Sequence, residues 1–103
     1  MMLDGGRANG RQVVPADWVR AVTAPSTPAQ ADAPGMPTGY GLQWWLLDDK
    51  GAYSALGLQG QYIYVDPRSR TVVVKISYFP PGDDSATAET GAFLRAVSAW
   101  SPK

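Results

Sequence analysis

The chain has 103 residues, 45% of them hydrophobic and 17% charged, with nine basic residues set against nine acidic ones. That length and composition give one small globular domain with a thin core, and they exclude a disordered tail. A balanced charge gives no driving force for a phosphate backbone, so no nucleic-acid partner is expected. Cys and His are both absent, which excludes disulfides, thiol nucleophiles, a Ser-His-Asp triad and Cys or His metal sites. No metal or cofactor is expected.

Met1 to Gly10 reads as a helix end followed by turns. Asp4-Gly5-Gly6 and Asn9-Gly10 carry the turn chemistry, because glycine reaches positive φ at little cost. The Asp4-Gly5-Gly6 stretch also stands where a signal peptide would need its apolar run, so no leader is read here and the default compartment is the cytoplasm. A short extended stretch, Arg11 to Val14, leads to a helix starting near Pro15. Proline suits a first helical position, and Asp17 is favoured there by the helix dipole. Trp18, Val19 and Val22 are expected on one side, and the helix should stop before Pro25.

Residues 25–39 hold four prolines and two glycines and read as a long loop. Four strand candidates follow: Tyr40–Leu47, Tyr53–Leu58, Gln61–Val65 and Thr71–Phe79. Their connections are short, which favours an antiparallel meander over parallel crossovers. Pro80-Pro81-Gly82 closes the last strand, and residues 86–100 read as an amphipathic helix with Ala86, Phe93, Val97 and Trp100 near one face and Leu94 and Ala96 beside it. The expected class is α+β: an antiparallel sheet of three to four strands with the C-terminal helix packed on one face. No run is long and apolar enough to span a membrane.

The chemistry of nucleophilic catalysis is missing from the pattern. A serine nucleophile needs a base within hydrogen-bond reach. None of the seven serines stands in S-x-x-K or in G-x-S-x-G, and no lysine opens a K-T-G. Phosphate-binding glycine loops are absent too. Asp48-Asp49 and Asp83-Asp84 read as turn residues, the latter also as a helix entry. Trp44 and Trp45, adjacent on a strand, must point to opposite faces; one belongs in the core and the other is free to line a pocket. Tyr62 and Tyr64 share a face and pair across strands first.

One stretch is specific. Gly57-Leu-Gln-Gly-Gln-Tyr-Ile-Tyr-Val-Asp-Pro-Arg-Ser-Arg-Thr-Val-Val-Val74 resembles the C-terminal part of the serine β-lactamase-like hydrolases. Three upstream features agree in order and spacing. Arg11-Gln12-Val13-Val14-Pro15-Ala16-Asp17-Trp18-Val19 is similar to the V-x-P-x-x-W helix entry of those enzymes. Tyr40-Gly41-Leu42-Gln43-Trp44-Trp45 is similar to their Y-G-Y-x-W-W strand, and Asp4-Gly5-Gly6 to the L-x-x-G-G end of a preceding helix. The resemblance covers essentially the whole chain, and the 6-aminohexanoate-dimer hydrolase branch is the most similar.

The resemblance implies acyl transfer: a serine in S-x-x-K attacks a carbonyl, a lysine and a tyrosine move protons, and a strand motif of K-T-G or H-x-G form borders the site and helps stabilise the oxyanion. Only that third motif maps onto this chain, at Leu58-Gln59-Gly60-Gln61. Gln59 stands where relatives often have His or Lys, so this position brings hydrogen bonds but no positive charge. Gly60 suits a close backbone approach, either to a ligand or within a turn.

The resemblance therefore implies that residues 1–103 are the C-terminal portion of a β-lactamase-like domain. It carries no catalytic residue of its own, Gln59, Gly60 and Gln61 on the substrate side, and Trp44 and Trp45 as possible pocket lining. The implied partner is a small-molecule amide or ester, with self-association through an exposed sheet edge as a further expectation. Two other readings stay open: a stand-alone binding module presenting the tryptophans and the 25–39 loop, and a split partner that completes a second chain.

Overall fold

A computed structural model describes residues 1–28, 37–48 and 50–100. The N-terminal segment begins with a 3-10 turn, Met2–Asp4. Strands β1 (Arg7–Ala8) and β2 (Arg11–Gln12) then form a small hairpin around Asn9-Gly10. Helix α1 (Ala16–Val22) starts after Pro15, whose φ of −55° suits a helix entry, and Asp17 in its first turn pairs with Arg20. It ends earlier than Pro25, where the Thr23 hydroxyl turns back to donate to the Val19 carbonyl at 2.8 Å. Val19 and Val22 are buried, whereas Trp18 faces solvent.

The sheet is an uninterrupted antiparallel meander of six strands in chain order, β3 to β8. Two of these strands come from dividing the stretch expected as one. Tyr40–Leu47 is not a single strand but a tight hairpin of β4 (Gly39–Tyr40) and β5 (Trp45–Leu46). The Gly41 N–H donates to the Trp44 carbonyl at 2.7 Å, and Gln43 turns the chain with φ 71°. Gly41 is there because a Cβ would fall 2.1 Å from the Val22 carbonyl oxygen at the end of α1. The loop expected over 25–39 contributes β3 (Thr27–Pro28), which pairs with β4; proline is tolerated on such an edge strand. Residues 29–36 of that loop lie outside the described residues.

The longer strands are β6 (Tyr53–Gly57), β7 (Gln61–Asp66) and β8 (Thr71–Lys75). Strand β8 stops at Lys75 rather than running on to Phe79. The turn before β6 is shaped by Asp48, whose carboxylate accepts the N–H of Lys50 and of Ala52; Asp49 lies outside the described residues. The turn after β7 is shaped by Asp66 in the same way, with its carboxylate accepting the Arg68 N–H at 3.0 Å and the Ser69 hydroxyl at 2.8 Å.

Helix α2 (Asp84–Ala99) covers one face of this sheet. Asp83 caps it, accepting the Ala86 N–H at 3.0 Å. The core beneath it is Ala52, Tyr64 and Leu94, with Leu47, Tyr62 and Val73 packed around. The Tyr64 and Ser98 hydroxyls meet at 2.7 Å, closing the far end of this layer. The buried side of α2 runs through Thr90 and Leu94; Phe93 and Trp100, expected inside, are exposed.

The opposite face is unevenly covered. The register aligns Tyr53 with Val65 and Val72, and Ala55 with Ile63 and Val74, on that side. Tyr53 and Val65 are buried, with the Met2–Asp4 turn lying against β7 and Arg70 paired to Asp4 at 2.7 Å. Ile63, Val72 and Val74 remain exposed.

Candidate functional site

The segment singled out by resemblance is the tip of the β6–β7 hairpin. Gly57 pairs with Gln61, so Leu58, Gln59 and Gly60 form the three-residue connection. Gln59 and Gly60 are both left-handed, with φ of 64° and 89°. Such a conformation is uncommon for glutamine and needs outside support. Gln59 and Gln61 are exposed, and Leu58 is 89% exposed. Gly60 is buried, and the neighbour that approaches it closely is part of this chain: a Cβ there would lie 1.8 Å from the Phe79 ring.

The residues just after β8 surround this tip. The Phe79 N–H donates to the Gln59 carbonyl at 3.2 Å. The Ser77 hydroxyl donates to the Gly60 carbonyl, and the Lys75 ammonium lies 3.5 Å from the same oxygen and 2.6 Å from Ser77 Oγ. The ammonium sits 5.8 Å from the centre of the Tyr62 ring and 5.4 Å from that of Phe79, within cation–π reach. In this arrangement Lys75 Nζ donates to Ser77 Oγ, and the Ser77 hydroxyl is committed to the Gly60 carbonyl. Lys75, Ser77 and Phe79 alternate at i, i+2, i+4 and so share one side of an extended run. That alternation is the sequence signal that could have found them.

The tryptophans stand apart from the tip. Trp45 pairs with Ser54, three residues before Gly57 on β6, which is about 10 Å along the strand. Its ring packs edge-on against Tyr40 with centroids 4.6 Å apart; Trp44 packs against Tyr53 at 5.1 Å. Trp44 is half-buried and Trp45 is exposed. The geometry thus groups Gln59, Gly60 and Gln61 with Lys75, Ser77 and Phe79, and leaves Trp44 and Trp45 on another part of the sheet. On the uncovered face, Gln61 lines an open hollow with Ala55, Leu56, Ile63, Val74 and Ile76.

What the tip can do chemically follows from its groups. Two side-chain amides, at Gln59 and Gln61, can donate and accept, and the turn backbone is close to solvent. Ser54, the serine nearest the middle of β6, is fully buried and donates to the Ile63 carbonyl at 2.9 Å, so it is not available to a substrate. Tyr62 and Tyr64 both have hydroxyl pKa values pushed up by burial; for Tyr64 the nearby carboxylates of Asp66 and Asp48 add to this against the Ser98 hydrogen bond. Among the described residues, no three of Asp, Glu, His or Cys gather as a metal would require. No helix there is long and apolar enough to cross a membrane.

Comparison with known proteins identifies this architecture. The family model described as Beta-lactamase matches residues 2–97. The 6-aminohexanoate-dimer hydrolase of Paenarthrobacter ureafaciens is 42% identical over 89 residues, covering 81% of this chain and 23% of that protein. The solved structure of "Putative 6-aminohexanoate-dimer hydrolase from Bacillus anthracis" superposes with a TM-score of 0.61 at 24% identity, over 92% of this chain and 25% of that one. The chain therefore spans about a quarter of the length of these relatives. The sheet with its C-terminal helix is a partial β-lactamase-like α/β fold, and the chain belongs to the β-lactamase family.

Proposed function

We propose that this chain is the C-terminal portion of a serine hydrolase and forms one wall of its site. In this reading the complete enzyme cleaves small-molecule amide or ester bonds through an acyl-enzyme. Gln59, Gly60 and Gln61 lie on the substrate side, and Trp45, the exposed one of the two tryptophans, lines its outer part. The serine, lysine and tyrosine that perform the chemistry belong to residues outside these 103. By itself the chain has no activity, and its uncovered apolar face drives self-association.

The observation that carries this reading is the 42% identity to a hydrolase over a stretch without S-x-x-K. A stand-alone module is less well supported, since Ile63, Val72 and Val74 would stay in water. The test is a chimera in which residues 2–97 replace the matching segment of the Paenarthrobacter hydrolase. Hydrolysis of the 6-aminohexanoate dimer should survive, and Gln59→Ala in the chimera should raise KM. A folded but inactive chimera would refute the assignment. So would turnover of a p-nitrophenyl ester by the purified 103-residue chain that disappears on Ser77→Ala.

A further inference from the structure

We infer that the run from Lys75 to Phe79 is a clasp that sets the shape of the Leu58–Gly60 tip, with Lys75 and Ser77 as positioning residues. As a statement about a site, this rests on reading Gln59–Gln61 as substrate lining; as a statement about the hairpin it stands on geometry alone. Gln59 and Gly60 are held at positive φ in a three-residue connection exposed at the end of the sheet. A glutamine in that conformation is not maintained by its own backbone preference. What holds it comes from the neighbouring strand. Both tip carbonyls are occupied, that of Gln59 by the Phe79 N–H and that of Gly60 by Ser77 and Lys75.

The clasp has a lock. The Phe79 ring fills the space a Gly60 side chain would need. The Lys75 ammonium lies within reach of both the Phe79 and Tyr62 rings while hydrogen-bonded to Ser77. Every contact comes from alternate residues of one extended run. A shift of that run by a single residue would turn all three side chains away from the tip. None of the three belongs to the core of Ala52, Tyr64 and Leu94, so the tip's shape is separable from the stability of the sheet.

Amide hydrogen exchange on the 103-residue chain tests this, because the Phe79 N–H is itself one of the bonds. Ser77→Ala should speed exchange at Phe79 by about five- to tenfold, the population change expected for one net hydrogen bond. Ladder amides of Val65 and Val73 should keep their rates. Lys75→Met retains the aliphatic stem against Tyr62 and Phe79 and serves if Ser77→Ala disturbs more than the tip. Ser77→Thr, which restores the hydroxyl, should return the Phe79 rate. An unchanged Phe79 rate in both Ser77→Ala and Lys75→Met, or a uniform rise at all three amides, overturns the clasp. The chimera separates the two claims: a loosened tip with unaltered KM and kcat keeps the clasp and removes the site, whereas a rigid tip removes the clasp and leaves the site assignment untouched.

Discussion

Asp66 is the most demanding residue of the sheet. It is 1% exposed, yet its carboxylate is charged at neutral pH and accepts the Arg68 N–H at 3.0 Å and the Ser69 hydroxyl at 2.8 Å, with the Arg68 guanidinium 3.6 Å away. Burial works to raise its pKa, but the hydrogen bonds from Ser69, the Arg68 backbone and Ser98, with the Arg68 charge, outweigh it and hold the carboxyl below its usual value of 3.8. Asp66→Ala removes two acceptors at once and takes the carboxylate partner from the Arg68 N–H and the Ser69 hydroxyl, both on exposed turn residues. Hydrogen bonds to a charged group contribute roughly 1.5–3 kcal/mol each, partly offset by the desolvation the charge no longer suffers, so the net loss should be about 3 kcal/mol. Asp66→Asn keeps an acceptor for Arg68 and lets the Ser69 hydroxyl rotate, so it should cost about 1 kcal/mol.

Urea unfolding followed by tryptophan fluorescence reads both losses. The pH dependence has a fixed sign. A carboxyl with a depressed folded pKa contributes its full stabilisation above 3.8 and loses it as pH falls through the lower folded value. The stability gap between wild type and Asp66→Asn should therefore close on acidification below about pH 4. If Asp66→Ala costs less than about 1 kcal/mol, or the gap widens in acid, the carboxylate is not the organiser of this turn.

Other expectations are equally direct. Gly60→Ala should cost about 2–4 kcal/mol from positive φ plus overlap with Phe79, and at least about 1 kcal/mol of that should vanish in a Phe79→Ala background; additive losses would refute the contact. Tyr64→Phe and Ser98→Ala should each cost about 1 kcal/mol, and the double variant little more than either, since they share one hydrogen bond. Leu94→Ala should cost about 2–4 kcal/mol and Phe93→Ala under about 1 kcal/mol, reversing the order that the helix pattern suggests. Val74→Lys should leave urea stability within about 0.5 kcal/mol while lowering dye binding and sedimentation of oligomers; a large stability loss would mean that this face is covered after all.

What could be read from the sequence was what is local. The turns at Asn9-Gly10 and Asp66-Pro67, the antiparallel order and the C-terminal helix follow from short connections and alternation. The split of Tyr40–Leu47 was hidden because the turning residue is Gln43, which carries no glycine or proline signal; the cause lies at Gly41, pressed against the carbonyl of Val22. The inner side of α2 was misread by one position because Phe93 and Leu94 are equally apolar, and only the pocket above Ala52 and Tyr64 chooses between them. At the tip, Gln59–Gly60 was legible as a turn. Its partners Lys75, Ser77 and Phe79 are marked in the sequence only as an alternating run; that they meet the tip, 15 or more residues away and partly through backbone groups, is decided by the pairing of β7 with β8.

Strand β8 joins these points. Val72-Val73-Val74 is a continuous apolar run, the composition of a strand covered on both faces, not of one facing water on alternate residues. Helix α2 accounts for Val73; among the described residues nothing accounts for Val72 and Val74. Had the chain been shaped to stand alone, the inexpensive solution would have been polar residues at those two positions and at Ile63. In the proposed function the rest of the enzyme covers that face, and the separately fastened tip is presented to substrate. Those are the two requirements of a wall that closes against another part of an enzyme.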